Sequence, residues 1–179
     1  MQRQSWPRAW LMTDERLDDA VGAAIARAAA AGAGVIVRHH QSSAAVRRAL
    51  ALEVAGHGAL LGISRDPRLA VELGAALVHN PEGDTQGLPF SLSVHVEEQA
   101  REAARRRPAL VFVSPLFATR SHPDAPVLGA GPAGRLARLA GCPAYALGGV
   151  TCVLGGKLIE QGWSGWAGID AWAEDFPEA

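Results

Sequence analysis

The sequence predicts a compact single-domain (β/α)8 barrel, a TIM barrel, over residues 1–179. The length corresponds to about one domain, and 49% of the residues are apolar, which is enough for a sizeable core. Short apolar runs alternate along the chain with Ala- and Arg-rich amphipathic stretches. This alternation is typical of parallel strands that are buried on both faces by helices. Eight such units favour a closed barrel, and a doubly wound open sheet is the structural rival.

The individual elements follow from this alternation. The apolar runs predict strands at Ala9–Met12, Gly34–Val37, Ala59–Gly62, Ala75–Val78, Phe90–Val94, Ala109–Val113, Ala144–Leu147 and Gly165–Ala167. The amphipathic stretches predict helices at Leu17–Ala31, Ala44–Ala55, Pro67–Leu73, Val96–Arg106, Pro132–Ala140 and Cys152–Glu160. Asp66 is a suitable N-cap because Pro67 follows it at the first helical position. The loop from His79 to Pro89 lacks a full helix.

Composition excludes several classes of function. The formal net charge is −1, so the chain lacks the broad basic field that nucleic-acid binding needs. No apolar run reaches the length of a transmembrane helix, and the start lacks the apolar core of a signal peptide. The two cysteines, Cys142 and Cys152, show no metal-binding spacing, which favours a reduced, cytoplasmic protein. The sequence is compatible with self-association into a homo-oligomer.

Polar residues and glycines are concentrated where the predicted strands end. Because ligands of parallel α/β folds bind at the carboxyl ends of the strands, these positions predict a polar pocket at one face of the barrel. The pair Gly148-Gly149 follows the seventh strand, where many barrels hold a phosphate. A backbone without Cβ atoms can approach an anion closely, although the same pair also suits a plain turn into a helix.

Three segments carry a resemblance to a known family. They read SVHVEEQAREAARRRPALVFVSPLFATRSH, PAYALGGV and GWSGWAGIDAW. The chain resembles the thiamine phosphate synthase and thiazole tautomerase (TenI-like) family, most strongly from Ser93 to Gly149. The resemblance implies a (β/α)8 barrel. It also implies a synthase that couples hydroxymethylpyrimidine diphosphate to thiazole phosphate and releases diphosphate, or a tautomerase that aromatises thiazole phosphate carboxylate.

The resemblance assigns roles residue by residue. Arg38 matches an arginine that grips the diphosphate, Ser93 a serine near the pyrimidine and diphosphate, and Asp84 a Mg²⁺ ligand. The positions that would bind the thiazole phosphate are Thr119, Ser121, Gly148, Gly149, Ile169 and Asp170. We expect His122 to act with Arg38 and Ser93 in catalysis, because it occupies the position of a lysine in the family's motif.

The chain also departs from the family pattern. Both lysines of the synthase motif are histidines here, His40 and His122, and histidine is largely neutral at pH 7. One of the family's two Mg²⁺ carboxylates is missing, since the aligned pair reads Ser64-Arg65. Arg65 could hold a phosphate in place of the metal. Asp170 stands at a serine position beside the phosphate, which is repulsive unless something bridges the two.

Three functions remain open from the sequence. The first is synthase-like transfer in thiamine biosynthesis, with Mg²⁺ as cofactor. The second is a tautomerase-type acid/base enzyme that uses His95, His122 or His40, although Pro115 stands where that branch carries its histidine. The third is a non-catalytic barrel that binds a phosphorylated ligand. His95 could instead be a buried, hydrogen-bonded ring, and His39 and His40 could be exposed loop residues.

Overall fold

Eight parallel strands form a closed barrel in chain order in the computed structural model, which describes residues 5–120 and 126–173. The strands are β1 Ala9–Met12, β2 Gly34–Val37, β3 Leu61–Ser64, β4 Leu77–His79, β5 Phe90–Val94, β6 Leu110–Val113, β7 Ala144–Leu147 and β8 Gly165–Gly168. Strand β1 pairs with both β2 and β8, so the sheet has no edge. The predicted (β/α)8 barrel is therefore confirmed, and the open-sheet rival is excluded.

Six helices cover the outside of the barrel within the described ranges. They are α1 Val21–Ala30, α2 Ala44–Gly56, α3 Pro67–Glu72, α4 Glu97–Arg106, α5 Ala130–Ala140 and α6 Cys152–Glu160, with 3₁₀ helices at Glu15–Ala20 and Asp170–Trp172. The carboxylate of Asp66 accepts a hydrogen bond from the Leu69 N–H at 3.0 Å, which confirms it as the N-cap of α3. The connection between β4 and β5 holds no helix, as predicted.

Several element boundaries differ from the prediction. Strands β3 and β4 begin two residues later than the apolar runs suggest, at Leu61 and Leu77. The predicted helix Leu17–Ala31 is divided, because Asp18 has φ +42° and interrupts the helical backbone. The later end of β4 makes His79 a strand residue, which buries its ring in the barrel.

The barrel interior is filled by large side chains. Trp10 is fully buried and meets Phe112 edge-on, with ring centroids 6.2 Å apart. Trp166 and Trp172 stack with centroids 5.3 Å apart, and the Trp172 indole N–H donates to the Trp10 carbonyl at 3.1 Å. These two tryptophans are therefore packed within the hydrophobic core. None of the helices in residues 5–120 and 126–173 has both the length and the apolar character needed to span a bilayer.

Candidate active site

A cavity of about 700 Å³ opens at the carboxyl ends of the strands. Residues at or just after nearly all of the strand ends form its wall. The described residues that line it include Met12, Arg38, His40, Arg65, His79, Asn80, Ser93, His95, Ser114, Pro115, Thr119, Arg120, Gly148, Gly149, Ile169 and Asp170. Its location is the one that the polar strand ends predict for a parallel barrel. Its size suits a small-molecule ligand.

Most of the predicted site residues meet at this cavity. Those that line it are Arg38, Ser93, Thr119, Gly148, Gly149, Ile169 and Asp170. Ser121 and His122 lie outside the described residues. Asp84 is not among the described lining residues; its carboxylate instead accepts the Gln86 backbone N–H at 3.1 Å in an exposed turn.

A hydrogen-bonded histidine lies at the floor of the cavity. The Nε2 atom of His79 is 3.2 Å from the Asn80 side-chain amide nitrogen, which can only donate, so Nε2 accepts. The Nδ1 atom therefore carries the proton and donates to the Ser91 hydroxyl at 3.0 Å. Asn80 also donates to the Ser93 hydroxyl at 3.0 Å and accepts the Ser93 backbone N–H at 2.8 Å. The network fixes Ser93 at the cavity wall.

The charge state of His79 follows from this environment. Complete burial, with a smaller contribution from the Arg38 charge, lowers the pKa of His79 to about 3. The ring is therefore neutral at physiological pH and acts as a hydrogen-bonding support rather than as a cation.

A glycine turn forms one end of the cavity. Gly148 and Gly149 have φ angles of +92° and +64°, a region that residues with a Cβ rarely adopt. A Cβ on Gly149 would lie 2.3 Å from the Ala118 carbonyl oxygen, so the turn and the loop after β6 are in close contact. The Phe117 N–H donates to the Gly148 carbonyl at 3.0 Å, which joins the two segments and places Thr119 on the same wall.

Two arginines offset the charge of Asp170 near this glycine turn. The Arg120 Nε atom is 3.2 Å from one carboxylate oxygen of Asp170, and an Arg16 nitrogen is 3.7 Å from the other. The repulsion expected between Asp170 and a phosphate is thus reduced by cations that belong to the chain itself. Arg120 lines the cavity and brings a positive charge to the loop in which the family pattern places its lysine.

Arg38 follows β2 and lines another part of the wall. The Thr13 hydroxyl accepts the Arg38 backbone N–H at 3.0 Å, and an Arg38 guanidinium nitrogen is 3.7 Å from an Asp14 oxygen. Burial lowers the pKa of Arg38, and the Asp14 carboxylate opposes that effect. An arginine keeps its charge under such a shift, so Arg38 presents a partly desolvated cation to the cavity.

The solvent exposure of the other histidines agrees only in part with the alternatives that the sequence left open. His39 is buried, and its Nδ1 atom lies 2.9 Å from the Thr13 hydroxyl oxygen, so an exposed position for His39 is wrong. His40 is exposed and lines the cavity. His95 is also exposed at the cavity, which corrects the buried alternative. Its Nδ1–H donates to the Ser114 carbonyl at 2.8 Å, so Nε2 of the neutral ring can accept a proton.

The described residues do not fit a family-type Mg²⁺ site. Magnesium prefers carboxylate oxygens, and Asp170 is the one carboxylate among the described lining residues, where it already faces two arginines. No group of three or more His, Cys, Asp or Glu residues suited to a metal occurs in residues 5–120 and 126–173. Mg²⁺ binding by Asp84 stays a prediction, because its exposed turn lies outside the described cavity wall.

Comparison with known proteins identifies the family. The model of the family described as thiamine monophosphate synthase matches residues 9–172, which is nearly the whole chain. The chain belongs to this family. The predicted resemblance is thereby confirmed.

A curated member of the family supports the match over a shorter region. The thiamine-phosphate synthase of Roseiflexus castenholzii is 37% identical over 83 residues, which cover 46% of this chain. The match spans 36% of the length of that relative, about a third.

Solved structures of two similar proteins agree on the fold. Thiamine phosphate pyrophosphorylase from Pyrococcus furiosus aligns with a TM-score of 0.71 at 19% identity, covering 94% of this chain and 88% of that one. The protein of the same name from Bacteroides thetaiotaomicron gives a TM-score of 0.66 at 16% identity, covering 97% and 87%. At these identities the likeness shows the barrel alone.

Sequence reasoning missed three residues of the site. Asn80 orders both His79 and Ser93, but it directly follows a strand that the apolar pattern ended one residue too early. Arg120 stands between Thr119 and Ser121 in the quoted loop, so its position was a usable signal. Arg16 reaches Asp170 from a segment more than 150 residues away along the chain, and local patterns carry no information on such a contact.

Proposed function

We propose that this protein is a thiamine phosphate synthase-like transferase of thiamine biosynthesis. Its substrates would be hydroxymethylpyrimidine diphosphate and thiazole phosphate, and its products thiamine phosphate and diphosphate. The observation that carries the proposal is one cavity that combines two anion-attracting regions, Arg38 at one part of the wall and the glycine turn with Arg120 at another. Family membership supports this pairing.

The reaction joins a ring nitrogen of the thiazole to the methylene carbon of the pyrimidine. The carbon–oxygen bond to the diphosphate breaks, and the diphosphate leaves with the bonding electron pair. In a dissociative displacement of this kind, the protein chiefly positions the substrates and stabilises the leaving anion. Each described residue therefore needs to bind or orient a group rather than to form a bond.

The described residues divide this work by location. Arg38 offers a partly desolvated cation to the leaving diphosphate. Ser93, fixed by Asn80 and His79, offers a hydroxyl to the pyrimidine or its diphosphate. The backbone of Gly148 and Gly149, with Thr119 and Arg120 on the same wall, would bind the thiazole phosphate. We also propose that His122, at the position of the family's lysine, acts with Arg38 and Ser93 in catalysis.

A steady-state assay with both substrates tests this proposal. We expect thiamine phosphate to form in a reaction that depends on both substrates and falls steeply in the Arg38→Gln variant. Formation no faster than in an enzyme-free control, with and without Mg²⁺, would reject synthase activity. Calorimetry with thiazole phosphate would then distinguish a non-catalytic binding barrel from a protein with another ligand.

Acid/base chemistry is the second candidate, and the geometry of His95 favours it. The Ser114 carbonyl holds the Nδ1–H of His95 at 2.8 Å, so a cavity-lining ring has a fixed tautomer with a basic Nε2. A tautomerase would aromatise thiazole phosphate carboxylate without a metal and would lose turnover in His95→Gln. Unchanged turnover in that variant would remove His95 from the mechanism.

A further inference from the structure

One edge of the cavity carries cations from two neighbouring strands. Arg38 and His40 follow β2, and Arg65 follows β3, which pairs with β2 in the barrel. All three side chains line the cavity, and we call the two arginines, Arg38 and Arg65, the cationic edge. The described lining residues include three arginines and one carboxylate, that of Asp170, so the net charge of the cavity wall favours an anion.

The backbone of Arg65 is held in an uncommon conformation. Its φ angle is +67°, a region that is unusual for a residue with a side chain. Two hydrogen bonds maintain it, one from the Arg65 N–H to the His79 carbonyl at 2.8 Å and one from the Glu82 N–H to the Arg65 carbonyl at 3.1 Å. The strand end and the loop after β4 therefore fix the point from which the Arg65 side chain extends.

The charged partners of the cationic edge are not closely bound. The Arg65 Nε atom is 3.7 Å from Glu82, and the Arg38 guanidinium is 3.7 Å from Asp14, both longer than a hydrogen bond. Arg65 and Glu82 are each more than half exposed, so their pair is weak in water. A multiply charged anion with several acceptor oxygens can therefore compete for both guanidinium groups.

The cations of this edge also destabilise one another. Desolvation is the largest cause that lowers the pKa of His40, and the charges of Arg65, Arg38 and Arg47 lower it further. Arg65 also contributes to the lowered pKa of Arg38. Clustered positive charge of this kind is relieved when an anion binds among the groups.

The same edge replaces a metal site that the described residues do not fit. Arg65 stands where the family pattern has a carboxylate ligand, and Asp84 lies in an exposed turn away from the described wall. We propose that Arg38 and Arg65 bind the diphosphate group of the substrate directly, so that no divalent cation is needed to hold it. The inference rests on the proposed function for the identity of the ligand.

Calorimetric titration with inorganic pyrophosphate tests the inference without turnover. Buffers are freed of metals on a chelating resin, because a dissolved chelator would itself be an anionic competitor. We expect wild-type protein to bind pyrophosphate in the metal-free buffer without added Mg²⁺, since one arginine pair supplies the contacts. Pyrophosphate binding that appears only with Mg²⁺ would overturn the inference, regardless of the affinities measured for the arginine variants.

Two variants that each remove one positive charge test whether Arg65 itself binds pyrophosphate. Arg65→Gln should weaken pyrophosphate binding about tenfold or more, which is the size expected for losing charge-assisted hydrogen bonds. Arg68→Gln removes the same charge from an exposed position of α3 that is outside the described cavity wall, and should change the affinity little. Equal affinities for the two variants would contradict direct binding by Arg65.

Further measurements separate this inference from the proposed function. Arg65→Lys keeps the charge but not the two-pronged geometry, so we expect an affinity between those of wild type and Arg65→Gln. Metal-free pyrophosphate binding that depends on Arg65, together with no thiamine phosphate in the two-substrate assay, would support the site and reject the reaction. Turnover that requires Mg²⁺ together with Mg²⁺-dependent binding would support the reaction and reject the site.

Discussion

His79 is fully enclosed at the cavity floor, and its protonation is linked to folding. Its pKa is about 3 in the folded protein, against 6.5 for an ordinary histidine. Between these values the unfolded chain binds a proton that the folded chain does not. The stability that depends on the neutral ring is therefore complete above about pH 6.5 and is lost as the pH falls toward about 3.

A pH series of urea unfolding tests this linkage. From pH 7 to pH 5 we expect His79 to account for a loss of about 2 kcal/mol in the free energy of unfolding. His79→Gln keeps hydrogen-bonding groups without the titration, so its unfolding free energy should fall by about 2 kcal/mol less over the same interval. Parallel pH profiles for the two proteins would show that His79 titrates normally.

Asp170 sets the charge balance near the glycine turn. Its ion pair with Arg120 is largely solvent-exposed and contributes little, whereas its negative charge would face the phosphate of a bound thiazole phosphate. The isosteric change Asp170→Asn should therefore tighten thiazole phosphate binding about threefold in calorimetry. Weaker binding would mean that Asp170 acts mainly by orienting Arg120.

At the scale of elements, a glycine-to-alanine substitution should have opposite effects on stability in the turn after β7 and in helix α6, which follows it. Gly149→Ala places a Cβ 2.3 Å from the Ala118 carbonyl oxygen at φ +64°. We expect it to lower the free energy of unfolding by about 1–3 kcal/mol and to weaken thiazole phosphate binding. Thermal denaturation and calorimetry measure the two effects.

Gly156→Ala is the matched control for this turn. Gly156 lies inside α6, has ordinary helical dihedrals, and a Cβ there meets nothing within 4 Å. The change should stabilise the protein by about 0.5–1 kcal/mol, because alanine loses less backbone entropy in a helix. Destabilisation by both variants to the same degree would contradict the close contact assigned to Gly149.

The elements themselves were largely predictable, and the exceptions have physical causes. Apolar runs identify strands such as β2 and β5 correctly, since both faces of a barrel strand are buried. The last residues of β3 and β4 are Ser64 and His79, polar side chains that the apolar pattern excludes. His79 lines the cavity, so the boundary error at the end of β4 coincides with the site, whereas Ser64 is buried and is not among the described lining residues.

At the scale of the whole molecule, closure of the barrel brings distant residues together. The sequence predicted the carboxyl-end face, and most of the predicted site residues lie there, because parallel topology places all strand ends at one face. It could not predict which charges pair across that face. Asp14, Arg16, Asp170 and Arg120 come from three separate loops, and their pairing depends on the closed geometry.

The proposed function requires one cavity to hold two anionic groups at once. Calorimetric titration of thiazole phosphate into protein that is saturated with inorganic pyrophosphate tests it most directly, because these groups correspond to the two ends of the reacting pair. We predict that each ligand binds with one-to-one stoichiometry and that saturating pyrophosphate leaves a full thiazole phosphate site. Mutual displacement of the two ligands, with an apparent affinity for thiazole phosphate that falls as the pyrophosphate concentration rises, would show that both anions compete for one region of the cavity and would reject two separate sites.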